Sequence, residues 1–64
     1  MSLYDYNRSR ELLLNDEPFY ALIMAAMRKA DSDNLIALRN AFPYTYAELD
    51  ARYNAPGGRL ETDQ

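Results

Sequence analysis

The sequence predicts an all-α fold, a small bundle of three to four short helices. Three observations carry that expectation. The chain holds nine Ala and nine Leu, no Val, and only Ile23, Ile36, Thr45 and Thr62 as β-branched residues, a balance that favours helix over strand. Phe19 to Met27 is an unbroken run of nine apolar or aromatic residues. It is too short to cross a membrane, which takes about 20, and too rich in Ala, Leu and Met for a strand. Turn and stop residues then recur at 15–18, 31–34, 43 and 55–58, cutting the chain into helix-length pieces. All 64 residues are expected to form one helical domain, with about 55–64 as a C-terminal turn and polar tail.

The first helix is expected from Ser2 to Leu14. Ser2 is a good N-cap, and Asp5 suits the positive end of the helix dipole. Leu3, Tyr6, Arg10 and Leu13 follow a 3-4-3 spacing, with Leu14 beside the stripe. Arg8 and Glu11 stand three apart and can pair. Asn15-Asp16-Glu17-Pro18 breaks this helix and starts the next, with Asn15 or Asp16 as N-cap and Pro18 in the first turn.

The second helix runs to about Ala30. Phe19, Leu22, Ile23, Ala26, Met27 and Ala30 share one face, and Tyr20 and Met24 widen it to roughly 200°. Arg28 and Lys29 complement its C-terminal dipole. After the capping residues Asp31-Ser32-Asp33-Asn34, a third helix extends to about Phe42. Leu35, Leu38, Ala41 and Phe42 form its inner stripe, and Ile36 points away. Pro43 ends it. Thr45-Tyr46-Ala47-Glu48 reads as a capping box, with Tyr44 and Leu49 as a hydrophobic staple. The fourth helix is therefore expected to start at Thr45 and run to about Asn54, where Ala55-Pro56-Gly57-Gly58 stops it.

Composition excludes much chemistry. The chain has no Cys and no His, so disulfides, thiolate metal sites and the commonest general base are absent. Lys29 is the sole lysine, and Ser2, Ser9 and Ser32 have no histidine to activate them. Asp16 and Glu17 are consecutive helix-start residues rather than an acid/base pair. Asp31-x-Asp33-x-Leu35 opens like a calcium loop but has Ile36 where Gly is needed and Phe42 where Glu is needed. Gly57-Gly58-Arg59 lacks the Lys and Ser/Thr of a phosphate loop. The expectation is a non-enzymatic protein with no cofactor and no metal.

Net charge is −3, which disfavours nucleic acid and anionic membranes as partners. Leu22 to Phe42 has the outline of a helix-turn-helix. The third helix, however, offers only Arg39 and Asn40 to bases and phosphates, and Asp31 and Asp33 would repel the backbone. Mimicry of DNA phosphates is opposed by Arg8, Arg10, Arg28, Lys29, Arg39 and Arg52, which interrupt any acidic stripe. Met1-Ser2-Leu3-Tyr4-Asp5 is not the start of a signal peptide, so the expected location is cytoplasmic, the host cytoplasm if the protein is phage-encoded.

Contact surface is what remains. Tyr and Met are enriched at interfaces because they offer large, adaptable contact area. Of the six tyrosines, Tyr6, Tyr20, Tyr46 and Tyr53 can build a small core with their hydroxyls at its edge. Tyr20, Met24 and Ile36 lie off the inner stripes and form a candidate partner-binding patch. Ala21 and Ala25 flank it and permit close approach of another helix.

The stretch Pro18 to Asp31, PFYALIMAAMRKAD, resembles one in short uncharacterised bacteriophage and prophage proteins. So does Phe42-Pro43 followed by Glu48 to Gly58, ELDARYNAPGG, giving a likeness over about two thirds of the chain. That family supplies no activity or site. What the resemblance implies is context: tiny phage accessory proteins often act by binding a host protein, in some cases a defence protein. The functional expectation is a protein–protein interaction module that modulates or inhibits a host factor by steric binding, its partner being a host protein or a second copy of itself. The alternatives are a nucleic-acid-binding regulator using helices two and three, and a structural subunit of a phage assembly.

Overall fold

The computed structural model describes residues 1–63 and is all-helical. Its elements are α1 (Leu3–Leu14), α2 (Phe19–Lys29), α3 (Ser32–Ala41), α4 (Pro43–Tyr53) and a one-turn 3-10 helix, Pro56–Gly58. No helix among the described residues is long and apolar enough to cross a membrane.

α1 starts where the sequence places it. The Ser2 hydroxyl accepts from the Asp5 N–H at 3.2 Å and donates to an Asp5 carboxylate oxygen at 3.1 Å. Arg8 pairs with Glu11. The helix closes on Asn15 and Asp16, whose N–H groups donate to the carbonyls of Leu12 and Leu13. Asp16 sits at φ 53°, in the left-handed region. It therefore ends α1 and does not cap α2. Pro18 occupies the N-cap position of α2 with no side-chain hydrogen bond, so neither Asn15 nor Asp16 caps that helix.

α3 is capped as expected, Asp31 Oδ1 accepting from the Asn34 N–H at 2.8 Å. α4 differs. It begins at Pro43, two residues before the expected Thr45 cap, and Phe42 serves both as C-cap of α3 and as N-cap of α4. Pro lacks an N–H and has its φ preset, so it enters the first turn without an orphaned donor. Thr45 then lies inside the helix, and the capping box is not used. The joint between α3 and α4 is thus a single residue.

α4 organises the rest. It packs on α2, on α3 and on the 3-10 turn, while α2 and α3 also touch one another. Met27 of α2 is the one buried side chain among the described residues, 3% exposed. Around it Leu22, Ile23, Met24, Leu35, Leu38, Phe42, Tyr46 and Leu49 are half-buried. The buried face of α2 is turned toward Met24 from the face that the spacing predicts, because Met24 is half-buried while Phe19 and Ala26 are exposed. Ala41 on the expected α3 stripe is exposed too, and so are Tyr6, Tyr20 and Tyr53. Of the four tyrosines expected to edge the core, only Tyr46 does so.

The segment after α4 is folded back rather than free. Gly57 and Gly58 take φ 63° and 70°, a left-handed pair that few other residues adopt. They return the chain so that Asp63 meets Arg52, with Nη1 and Nη2 donating to the two carboxylate oxygens at 2.6 and 2.8 Å. Arg52 Nη1 also donates to the Gly58 carbonyl at 2.9 Å, and its Nε faces Glu48 at 3.4 Å. These contacts hold the C-terminal turn and tail up to Asp63; Gln64 lies outside the described residues.

Candidate interaction surface

Of the five residues of the sequence-derived patch, two line a common cleft. Tyr20 and Met24 line a cleft of about 290 Å³ between α2 and α4, closed by Tyr44, Thr45 and Glu48. Tyr20 remains 57% exposed, its ring edge-on to Phe19 at 5.1 Å; Phe19 in turn meets Phe42 edge-on at 6.1 Å. These rings tie the start of α2 to the α3–α4 joint. Ala21, Ala25 and Ile36 do not line that cleft. Ala21 and Ala25 are exposed on α2, and Ile36 is 48% exposed on α3.

Two further grooves lie against the body. Ala26 and Lys29 of α2 and its C-cap Ala30 face Asn34, Ala37 and Leu38 of α3 across one. Met27, Arg28, Leu35, Tyr46, Leu49, Asp50 and Tyr53 line the other, where α2, α3 and α4 meet. Arg39 lies over the Tyr46 ring at 5.6 Å from its centroid, a cation–π contact that occupies the guanidinium. Among the described residues no polar or charged side chain is buried, and no group of three acidic residues is placed to hold a metal ion. These walls offer apolar contact with polar edges.

Every residue of α1 is exposed. No Cα of α1 comes within 8 Å of another helix. At 100° per residue, Leu13, Tyr6, Arg10, Leu3 and Leu14 fall within an arc of about 100°. All of them are exposed, Leu13 at 77% and Leu14 at 84%. Tyr4 and Leu12 lie outside that arc and are exposed as well. The sequence reading places Tyr6 of this stripe at the edge of a core, whereas the structure leaves the whole stripe exposed. The signal was Arg10 at its centre: a charge in the middle of a stripe bound for the core of its own chain would need a buried partner.

No protein-family model matches the chain, and no curated protein or solved structure is similar to it.

The whole-molecule dimensions point to the same surface. A compact folded chain of this mass, 7.4 kDa, exposes about 4,200 Å² by the usual scaling, whereas this one exposes 5737 Å². Its radius of gyration is 13.5 Å, against about 11 Å for a compact domain of its length. The exposed α1 contributes to both differences.

Proposed function

We propose that the protein is a small non-enzymatic interaction module that works by steric binding, with α1 as its principal contact surface. The phage likeness of its sequence makes a host protein the class of target whose action it would modulate or block in the host cytoplasm. One observation carries the reading: Leu3, Tyr6, Leu13 and Leu14 are exposed on a helix none of whose Cα atoms comes within 8 Å of another helix. Exposed apolar patches of this kind mark protein–protein contact sites. A 12-residue helix is also marginal in water without tertiary packing, so a partner that covers α1 stabilises it. The nucleic-acid reading has no comparable support, since Arg39 is engaged by Tyr46 and the net charge is −3.

The test is capture from a bacterial lysate, together with solution mass, for the natural chain and for Leu3→Asp/Leu13→Asp. The reading expects a complex, with a host protein or with itself, that the double variant loses while keeping the α2–α4 body folded by circular dichroism. A chain that stays monomeric and captures nothing, or one whose complexes ignore the double variant, overturns it.

A further inference from the structure

We propose that the α1 face pairs with α1 of a second copy, the two helices antiparallel about a two-fold axis near residue 8. This rests on the reading of α1 as the contact surface and names its occupant.

The first argument is the spacing. Leu3, Tyr6, Arg10 and Leu13 are separated by 3, 4 and 3 residues, a pattern that reads the same in both directions. A two-fold interface places each residue against its mirror position in the partner. About residue 8, Leu3 meets Leu13 of the second copy and Tyr6 meets Arg10, and symmetry makes each contact twice. The 3-4-3 rhythm is that of two helices packed side by side in a coiled-coil seam.

Charge selects the direction. A parallel pair would set Arg10 against Arg10 at the same level. The antiparallel pair moves the two guanidinium stems about 6 Å apart along the axis, at 1.5 Å rise per residue, and lays each across the Tyr6 ring of the other chain. Arg10 then becomes part of the seam, which explains a cation at the centre of an apolar stripe. Asp5, Arg8 and Glu11 lie outside the arc and stay in water, where Arg8 and Glu11 already pair.

The topology separates the two bodies, because each is joined to its α1 at the C-terminal end. In an antiparallel pair they sit at opposite ends of a helix about 18 Å long.

The experiment is sedimentation of the natural chain from low micromolar to millimolar concentration, combined with single-cysteine cross-linking, for which the cysteine-free sequence is well suited. Expected are a mass that rises from monomer to dimer and a dissociation constant raised at least tenfold by Leu13→Asp. α1 touches no other helix, so the body of that variant stays folded. Under mild oxidation, an equimolar mixture of Leu3→Cys and Leu13→Cys gives a mixed covalent dimer, while either alone cross-links slowly. Rapid cross-linking of Leu3→Cys with itself shows a parallel pair and overturns the proposal, as does a natural chain monomeric at millimolar concentration. If that monomer still captures a host protein through α1, the second-copy inference fails while the interaction-module reading stands.

Discussion

Arg52 and Asp63 meet end-on, two guanidinium nitrogens on two carboxylate oxygens at 2.6 and 2.8 Å, across eleven residues of chain. This fork-to-fork geometry is the strong form of a charged hydrogen bond. With the Leu60 N–H also donating to Asp63 Oδ2 at 3.0 Å, the contact closes the segment after α4 into a loop.

The Arg52 hydrogen bonds, then the Leu60 N–H, hold the Asp63 carboxyl down at about 2 from an ordinary 3.8. A depressed carboxylate contributes stability that is complete above its unfolded value and disappears as pH falls through its folded one. The loop should therefore stay closed above about pH 4 and open between pH 4 and 2. Carboxyl chemical shifts should give Asp63 a midpoint near 2, and Asp63→Asn should remove amide protection from Leu60 to Asp63 at neutral pH without altering α2 and α3. A midpoint at the ordinary value would contradict the contact.

Met27→Ala should be the most damaging single truncation in the chain. It removes the one buried side chain among the described residues, at the junction of α2, α3 and α4. Buried Met or Leu to Ala costs about 2–5 kcal/mol, a large share of what a domain of this size possesses. Thermal unfolding by circular dichroism should show loss of the cooperative transition. Met27→Leu, close in volume, should keep it at a cost under about 1.5 kcal/mol.

Asp31→Ala and Thr45→Ala should part company. Asp31 accepts from the Asn34 N–H, so its loss should cost about 1 kcal/mol. Thr45 lies two residues inside α4, where Ala is the better helix former, so Thr45→Ala should change stability by less than about 0.5 kcal/mol. Chemical denaturation of the two variants decides this, and a larger loss from Thr45→Ala would reinstate the capping box.

Changes in α1 should stay in α1. Ser2→Ala removes the cap on Asp5 N–H and should weaken the helix by about 1 kcal/mol. Asp16→Val forces a β-branched residue into φ 53° and should fray Leu12 to Leu14. Backbone chemical shifts should record both losses between residues 3 and 14, while the melting of the α2–α4 body stays where it was in dilute protein. A shift of the whole transition would mean that α1 packs on the body.

The helices were legible in the sequence because their signals are local. Ser2 and Asp31 declare their caps, Pro43 and the Gly57-Gly58 pair declare their stops, and the apolar run declares α2. What packs on what was less legible. Thr45 and Glu48 have the right spacing for a capping box, but Pro43 starts the helix two residues earlier, and no rule of spacing ranks the two. Arg52 and Asp63 are joined only by a return through two left-handed glycines, which no periodicity encodes. For the candidate site, the expected patch of Tyr20, Ala21, Met24, Ala25 and Ile36 rests on which residues lie off the inner stripes. That inference requires the stripes to be placed correctly. The α2 face is turned toward Met24, so Tyr20 and Met24 line a cleft with α4 instead of an open flank.

The one-residue joint at Phe42 makes the body intolerant of length change. Adding a single residue there would swing α4 by about 100° about its own axis and carry Leu49 and Tyr46 away from Met27. Nothing comparable restrains Asn15 to Pro18, where α1 joins a body whose helices its Cα atoms do not approach within 8 Å. Changes in the length or sequence of the arm are therefore expected to leave the packing of the other three helices intact, while those three are held to one register.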